Sequence, residues 1–519
     1  MKPITAPNYL SDFVNSFPGD ASFNNRPRQT PGVLYSLVNP TPVRKVTLLG
    51  WSAELATELG ILKPQNQEEI DVLGGNQVAE TMQPYAACYA GHQFGNWAGQ
   101  LGDGRAMTLG EWLAPDQKTY ELQLKGAGPT PYSRRADGRA VLRSSVREYL
   151  MSEAMHYLGV PTTRALSLIS SGELVWRDMF YNGNAMEEPG AIVTRVAPSF
   201  LRFGNFEMLA ARKENENLRQ LADYTINKFF PHIQGEEKVL QWFAEVVDRT
   251  AFLMTEWLRV GFVHGVMNTD NMSVLGLTID YGPFSFLDNY DPDFTPNTTD
   301  LPGRRYAFGQ QANIAYWNLG CLASAFAPLF PDTKPLVTEL EKYGELFLEK
   351  YYEMMSRKLG LDAFKPEDAT LIAQFEETLA ALQPDMTIFY QLLINLPASF
   401  ENENTAAAFF EESLYQELTQ TEKQKLFGLL QNYQARIQKN GIPEAEKTRK
   451  MQTANPRFIL RNYLLHQAIE ELTQGKTELF NQLQEALKEP YSNKSDQFFG
   501  KRPDWAGEKA GCSMLSCSS

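Results

Sequence analysis

Between His264 and Asp280 the chain reads His264-Gly265-Val266-Met267-Asn268-Thr269-Asp270-Asn271, then a β-prone run to Ile279 that closes on Asp280. Asn271 and Asp280 offer two oxygen donors on either side of a short hairpin. Mg²⁺ favours such a set, one or two carboxylate or amide oxygens completed by phosphate and water. Asp270 adds a carboxylate able to take a proton. The same Asn, Asp and Gly residues would also suit a polar turn between a helix and a hairpin.

A phosphoryl-transfer template sharpens the choice. In kinase-like enzymes a loop H-R-D-x-x-x-x-N precedes a strand and a metal-binding Asp. Laid on His264, the template puts Asn271 on the metal-binding Asn and Asp280 on the metal-binding Asp. Its catalytic Asp falls on Val266, which cannot orient a hydroxyl. The base is therefore absent, or has moved to Asp270.

The elements upstream are those such a site needs. Gly91, Gly95, Gly99, Gly102 and Gly104 fall within fourteen residues. Such a run lets backbone N–H groups approach phosphate, or forms a tight surface loop. Strands are predicted around Arg105–Leu109 and Thr119–Lys125, the second ending in Lys just before Gly126. A Lys there pairs with phosphates in kinase-like folds, although most Lys residues lie at the surface. A helical stripe over Ala140–Leu158 carries Glu148, in the order expected to hold Lys125; Arg143 and Arg147 are rival local partners. Arg134, Arg135 and Arg139 make the preceding loop basic. Strand signals recur at Ala165–Ile169, Leu174–Trp176 and Ala191–Val196, where Arg195 and Arg202 bracket a Pro turn. They are either forks for phosphate or surface arginines. An amphipathic helix over 236–260 leads into the central stretch. Beyond it helices are expected at Asn313–Phe326, Leu336–Leu359, Pro366–Leu382, Thr405–Leu418, Thr421–Lys439, Pro456–Thr473 and Thr477–Lys488. Ser52–Gly60 reads as a short helix closed by Gly.

Strands first and helices after, with a metal loop at the seam, predict an α+β, kinase-like two-lobed fold with N- and C-terminal extensions. Its parts would be an extension over 1–84, a β-rich lobe over 85–204, a helical lobe over 205–490 and a tail over 491–519. A chain of 519 residues with 43% apolar and 21% charged residues suits such a globular protein. The net charge of −14 argues against nucleic acid as a partner. Four scattered cysteines, no apolar run near the roughly 18 residues of a membrane span, and no leader-like pattern at Met1–Pro7 predict a cytoplasmic protein away from membranes.

Four stretches together carry a family resemblance: Gln100–Arg105, Leu124–Arg134, Ala136–Ser145 and His264–Phe284. With the terminal Ser516-Cys517-Ser518-Ser519, where some members carry selenocysteine, they resemble the selenoprotein O family over almost the whole chain. The resemblance implies a kinase fold without the usual catalytic Asp. It implies transfer of AMP from ATP, bound in a flipped orientation, to Ser, Thr or Tyr hydroxyls of proteins. Position by position it implies ATP contacts from Gly102, Gly104, Arg105, Lys125, Asp137, Gly138, Arg195, Arg202 and Asp280. Glu148 would support Lys125, and Asn271 and Asp280 would bind Mg²⁺, with Mn²⁺ the alternative. Asp270 would accept the proton. Ordinary γ-phosphoryl transfer and a non-catalytic nucleotide-binding scaffold are the competing functions. One departure touches regulation. Members commonly carry a Cys in an Ile-Cys-Asn run that pairs with the C-terminal Cys, whereas this chain has Thr295-Pro296-Asn297. Cys517 therefore lacks that partner, and Cys512 is the remaining candidate.

Overall fold

The computed structural model describes residues 1–512 and 514–516. It is a mixed α+β architecture built on a ten-stranded sheet. In spatial order the strands are Gly19–Asp20, Tyr35–Leu37, Tyr85–Ala87, Ala106–Leu113, Thr119–Lys125, Met186–Ala197, Arg164–Arg177 and Thr47–Trp51. Tyr9–Leu10 joins beside Ala106–Leu113, and Ala140–Val141 beside Met186–Ala197. The first fifty residues are thus woven into the sheet, and do not merely lie on it as the sequence suggested. Four of the five strand signals extend further than expected. Ala165–Ile169 and Leu174–Trp176 are one strand with a register shift between Ser170 and Leu174, a bulge that bends without ending it.

The helix Leu142–Tyr157 lies against this sheet with Val146, Leu150, Met151 and Met155 fully buried. After Ala197 the regular structure is helical apart from the two-residue strands Phe262–Val263 and Ser285–Phe286. Lys238–Val260 buries Trp242, Phe243, Val247 and Met254, and Gly261 in the left-handed region at φ 75° ends it. Sheet, Leu142–Tyr157 and Lys238–Val260 share one apolar core; a second core gathers the later helices around Phe375, Phe389, Phe410 and Leu430.

The helical region differs from expectation in detail. Leu336–Leu359 is two helices that break at Lys342, and the helix at Thr405 ends at Phe409. Met386–Ile394 and Glu444–Ala454 are helices that periodicity did not reveal. No helix among the described residues is long and apolar enough to cross a membrane.

One sheet position is electrostatically strained. Glu111 and Glu121 face each other across adjacent strands, both buried. Lys228 pairs with Glu111, and the Ser199 hydroxyl donates to Glu121 at 2.8 Å. Burial first, then the Glu111 charge, pushes the Glu121 carboxyl up to about 7. A carboxyl raised in the folded state disfavours folding once it must ionise. Stability from this group is therefore present below the ordinary value of 4.5 and lost as pH rises towards 7. The loss is about 3 kcal/mol. Glu121→Gln is expected to be more stable than the parent at pH 8 and to match it at pH 4.5. Denaturant melts at both pH values measure this, and equal offsets at the two would contradict it.

Candidate active site

The charged centre forms where the sheet meets the segment after Lys238–Val260. Lys125 ends its strand and reaches Glu148 at 2.8 Å. Glu148 takes a second bond from Arg195 at 3.1 Å, and Arg195 also reaches Asp280 at 2.5 Å. Arg202 bonds the other Asp280 oxygen and donates to the Asp270 carbonyl at 2.7 Å. Lys125 stands 3.8 Å from Asp280. One network thus joins Lys125, Glu148, Arg195, Arg202, Asp280 and the backbone of Asp270.

The alternatives for these side chains fall away. Arg195 and Arg202 are 2% and 1% exposed, so neither is a surface arginine. Arg143 turns to Glu188, and Arg147 to Asn462 and the Phe284 carbonyl, leaving Glu148 to Lys125 and Arg195. Burial alone would raise the Asp280 carboxyl. Arg202, Arg195 and Lys125 outweigh it and hold the group well below the usual carboxylate range. Burial lowers Lys125, and Glu148 opposes that fall. Arg105, half-buried, is also lowered by burial; Glu148 and Asp280 act on it only through space. Four cations, Lys125, Arg105, Arg195 and Arg202, converge here on Glu148 and Asp280, with Asp270 and Asp103 as further carboxylates in reach, so positive charge is concentrated at one point of an acidic protein. Such a centre has room for a polyanion.

The His264 stretch positions the acidic groups. His264 is buried, so it is neutral, with burial lowering its pKa. Its Nε2 donates to the Ile279 carbonyl at 2.9 Å, and its Nδ1 accepts from the Val266 N–H at 3.3 Å. The ring therefore ties the loop to the residue before Asp280. Asp280 itself sits at φ 59°, a left-handed conformation that Asp tolerates better than most residues. Val266 is buried, with no polar group to offer at the template's catalytic position.

Asn271 donates from its amide nitrogen to the Val266 carbonyl at 2.9 Å, which fixes its oxygen as the outward group. Asp270 Oδ2 takes a bond from Gln93 at 3.2 Å, while Oδ1 is buried with no partner. Burial pushes the Asp270 carboxyl up to about 6. The oriented Asn271 amide oxygen and the ionised Asp280 carboxylate are hard donors that fit Mg²⁺ or Mn²⁺, and the orphaned Asp270 Oδ1 is free to take a proton.

The glycine run divides into two parts with different tasks. Gly102 and Gly104 back onto Tyr132, where a Cβ on either would come within 3 Å of that residue. Thr130 and Ser133 hold the carbonyls of Asp103 and Gly104. Gly91 instead abuts Asp270, and the His92–Gln93/Asn96–Trp97 hairpin bonds the loop through His92 N to Thr269 and Phe94 N to Asn268. This part serves the catalytic loop and does not cover Lys125. Asp137 is exposed and pairs with Arg177 at 2.8 Å; buried Gly138, at φ 69°, packs directly on Gly128. Neither makes a hydrogen bond to the Lys125–Asp280 network. Arg177 nevertheless acts on Arg105 through its charge.

Several contributors had no sequence signal. Gln123 bonds Arg195 from beneath, Tyr89 lies under the Arg202 guanidinium at 4.5 Å, and buried Asp103 bonds the Ala87 N–H. Only Gln123, one turn of the strand pattern before Lys125 on the same face, could have been found by period-two alternation. In the tail, Leu515 pairs with the Pro296–Thr298 segment, Cys512 is a buried free thiol pushed up to about 11, and Cys517 lies outside the described residues.

A lysine held by a helical glutamate, a bracketed aspartate and an amide oxygen are thus gathered in one place. Comparison with known proteins makes the class definite. A family model described as Protein adenylyltransferase SelO matches residues 20–488. A protein nucleotidyltransferase YdiU of Cytophaga hutchinsonii is 60% identical over 98% of each chain. Those of Nitrosospira multiformis and an Azoarcus species are each 50% identical, over 98% and 100% of this chain and 95% and 100% of theirs. The chain is a nucleotidyltransferase. It belongs to the SelO family.

The network makes a stability prediction. Asp280→Ala leaves Arg195, Arg202 and Lys125 facing one another with Glu148 alone, at an expected cost of about 3 kcal/mol or more. Pyrophosphate is expected to restore part of the lost melting temperature by standing in for the missing charge. A variant that melts with the parent, and ignores pyrophosphate, would contradict the network.

Proposed function

We propose that the protein transfers AMP from ATP to Ser, Thr or Tyr hydroxyls of other proteins. The observation that carries this is the positive centre around Asp280, combined with an apolar Val266 where a kinase has its base. The fold is read as kinase-like, with residues 85–204 supplying the nucleotide loops, 205–490 the catalytic loop, and 1–84 and 491–519 the extensions.

The triphosphate lies along Arg105, Lys125, Arg195 and Arg202, with the backbone of Gly102 and Gly104 beside it, seated by its close packing on Tyr132. Asp137 and Gly138 line the same entrance. ATP enters reversed, so that its outer phosphates meet these cations and the α-phosphorus faces the acceptor. Asn271 and Asp280 hold Mg²⁺, or Mn²⁺ in its place, and the bound ion neutralises phosphate charge. Glu148 keeps Lys125 from folding away. The acceptor hydroxyl attacks the α-phosphorus, the bond from that phosphorus to the α,β-bridging oxygen breaks, and pyrophosphate leaves. Asp270 takes the hydroxyl proton on its unpartnered Oδ1. Preorganised charge supplies most of the rate in such chemistry. The acidic surface suits protein partners better than nucleic acid, and the cytoplasm is the expected location.

Labelled ATP separates the possibilities. With Mg²⁺ and a protein acceptor, label at the α-phosphate is expected to be retained on protein and label at the γ-phosphate is not. γ-Label alone would mean phosphorylation, and neither label a scaffold. Lys125→Ala is expected to slow transfer about 100-fold or more while keeping the fold, and Asp280→Asn to abolish it. Undiminished transfer by the Lys125 variant would remove that residue from the phosphate path.

A further inference from the structure

Behind the catalytic loop three side chains from separate elements converge. His92 comes from the small hairpin, Glu207 from the helix Phe203–Ala211 and Cys321 from the helix Gln311–Phe326. One donor atom from each lies within 4.8 Å of the others. We propose that His92, Glu207 and Cys321 form a binding site for Zn²⁺, separate from the Mg²⁺ site of the nucleotide.

The donor set selects the metal. Nitrogen, carboxylate oxygen and sulfur together suit Zn²⁺, whereas Mg²⁺ takes oxygen alone. A tetrahedral zinc sets such atoms roughly 3.5 Å apart, so the more distant donors close in while the Nδ1–Oε1 pair opens from 2.6 Å. Glu207 is 5% exposed and takes bonds from His92 and the Thr269 hydroxyl, yet its Oε2 is buried with no close hydrogen-bond partner, a deficit that a cation relieves. Oε1 meets His92 Nδ1 at 2.6 Å. Zinc binding displaces the proton between Nδ1 and Oε1, with the imidazole left as its neutral Nε2–H tautomer, and sends the Cys321 thiol proton to solvent, so that an Nδ1, a carboxylate and a thiolate face the ion. The fourth position is left for water, as in three-ligand zinc sites.

The surroundings hold the ligands in place. The His92 ring packs 5.1 Å from Trp97 and edge-on to Trp317 at 5.4 Å. The Thr269 hydroxyl, which accepts the His92 N–H at 2.7 Å, stands beside the Glu207 carboxylate. Thr269 precedes Asp270, so an ion here fixes the catalytic loop from its rear. The site is thereby a structural clamp on that loop, with no part in the chemistry at phosphorus.

The test uses the full chain, stripped with chelator and given Zn²⁺ or Co²⁺ alone. One zinc per chain is expected to survive gel filtration, and Co²⁺ to give a thiolate-to-metal charge-transfer band. The band is expected to vanish in Cys321→Ser, to weaken in His92→Gln and Glu207→Gln, and to persist in Cys517→Ser, in Asp280→Asn and in excess Mg²⁺. Zinc is also expected to protect Cys321 of the parent protein from alkylation, a readout that stands even where a variant folds poorly. No retained zinc, a band that follows Cys517, or an unprotected Cys321 would overturn the proposal. None of these readouts depends on which phosphate is transferred.

Discussion

Asp280 is held by Arg195 on one oxygen and Arg202 on the other, with Lys125 close by, and the architecture around the site serves that arrangement. Arg195, Arg202 and Glu148 are buried and Lys125 and Asp280 partly so, and burying such charges is costly where they lack partners. Each is accordingly fixed from outside the network. Gln123 and Glu148 hold Arg195, the Tyr89 ring and the Asp270 carbonyl hold Arg202, and His264 holds the residue before Asp280. The adjacent strands Thr119–Lys125 and Met186–Ala197 set the spacing of Gln123, Lys125 and Arg195, with Gln123 directly opposite Arg195 in the register.

This arrangement concentrates positive charge in a cleft of an acidic protein, where the proposed triphosphate would lie. Net charge describes the surface as a whole, whereas a few desolvated arginines set the field inside a cleft. Arg105 adds a positive charge beside the network without closing an ion pair with either carboxylate. The two arginines satisfy Asp280. A triphosphate offers the same arginines equivalent partners, which would leave the carboxylate for a metal ion.

Much of this site was legible before any coordinates, because its members occur at informative boundaries. Lys125 closes an alternating strand, Glu148 sits within a helical stripe, and Asn271 and Asp280 flank a hairpin. The network partners supplied by sheet register, such as Gln123, or by chain crossing, such as Tyr89 and Gln93, were not legible, since nothing local marks them. The glycine run shows the limit from the other side. Composition marked it as a place of close backbone approach, but only the fold reveals that Gly91 approaches Asp270 whereas Gly102 approaches Tyr132. Helices failed for two opposite reasons. Met386–Ile394 is apolar on nearly every face and has no stripe, although Asp385 caps it through the Ile388 N–H. Glu444–Ala454 buries only Lys447, Met451 and Ala454, too few apolar positions to register. The first fifty residues looked like an extended lead because their strands are two to five residues long and gain stability only by joining strands far along the chain.

The account stands on which end of the nucleotide these cations receive. A crystal structure of the protein with a non-hydrolysable ATP analogue and Mg²⁺ decides it most directly. The expected density has the γ-phosphate innermost against Lys125 and the arginines, with the base towards solvent and the α-phosphorus facing Asp270. Adenine buried in the interior, with the γ-phosphate pointing outward, would contradict it.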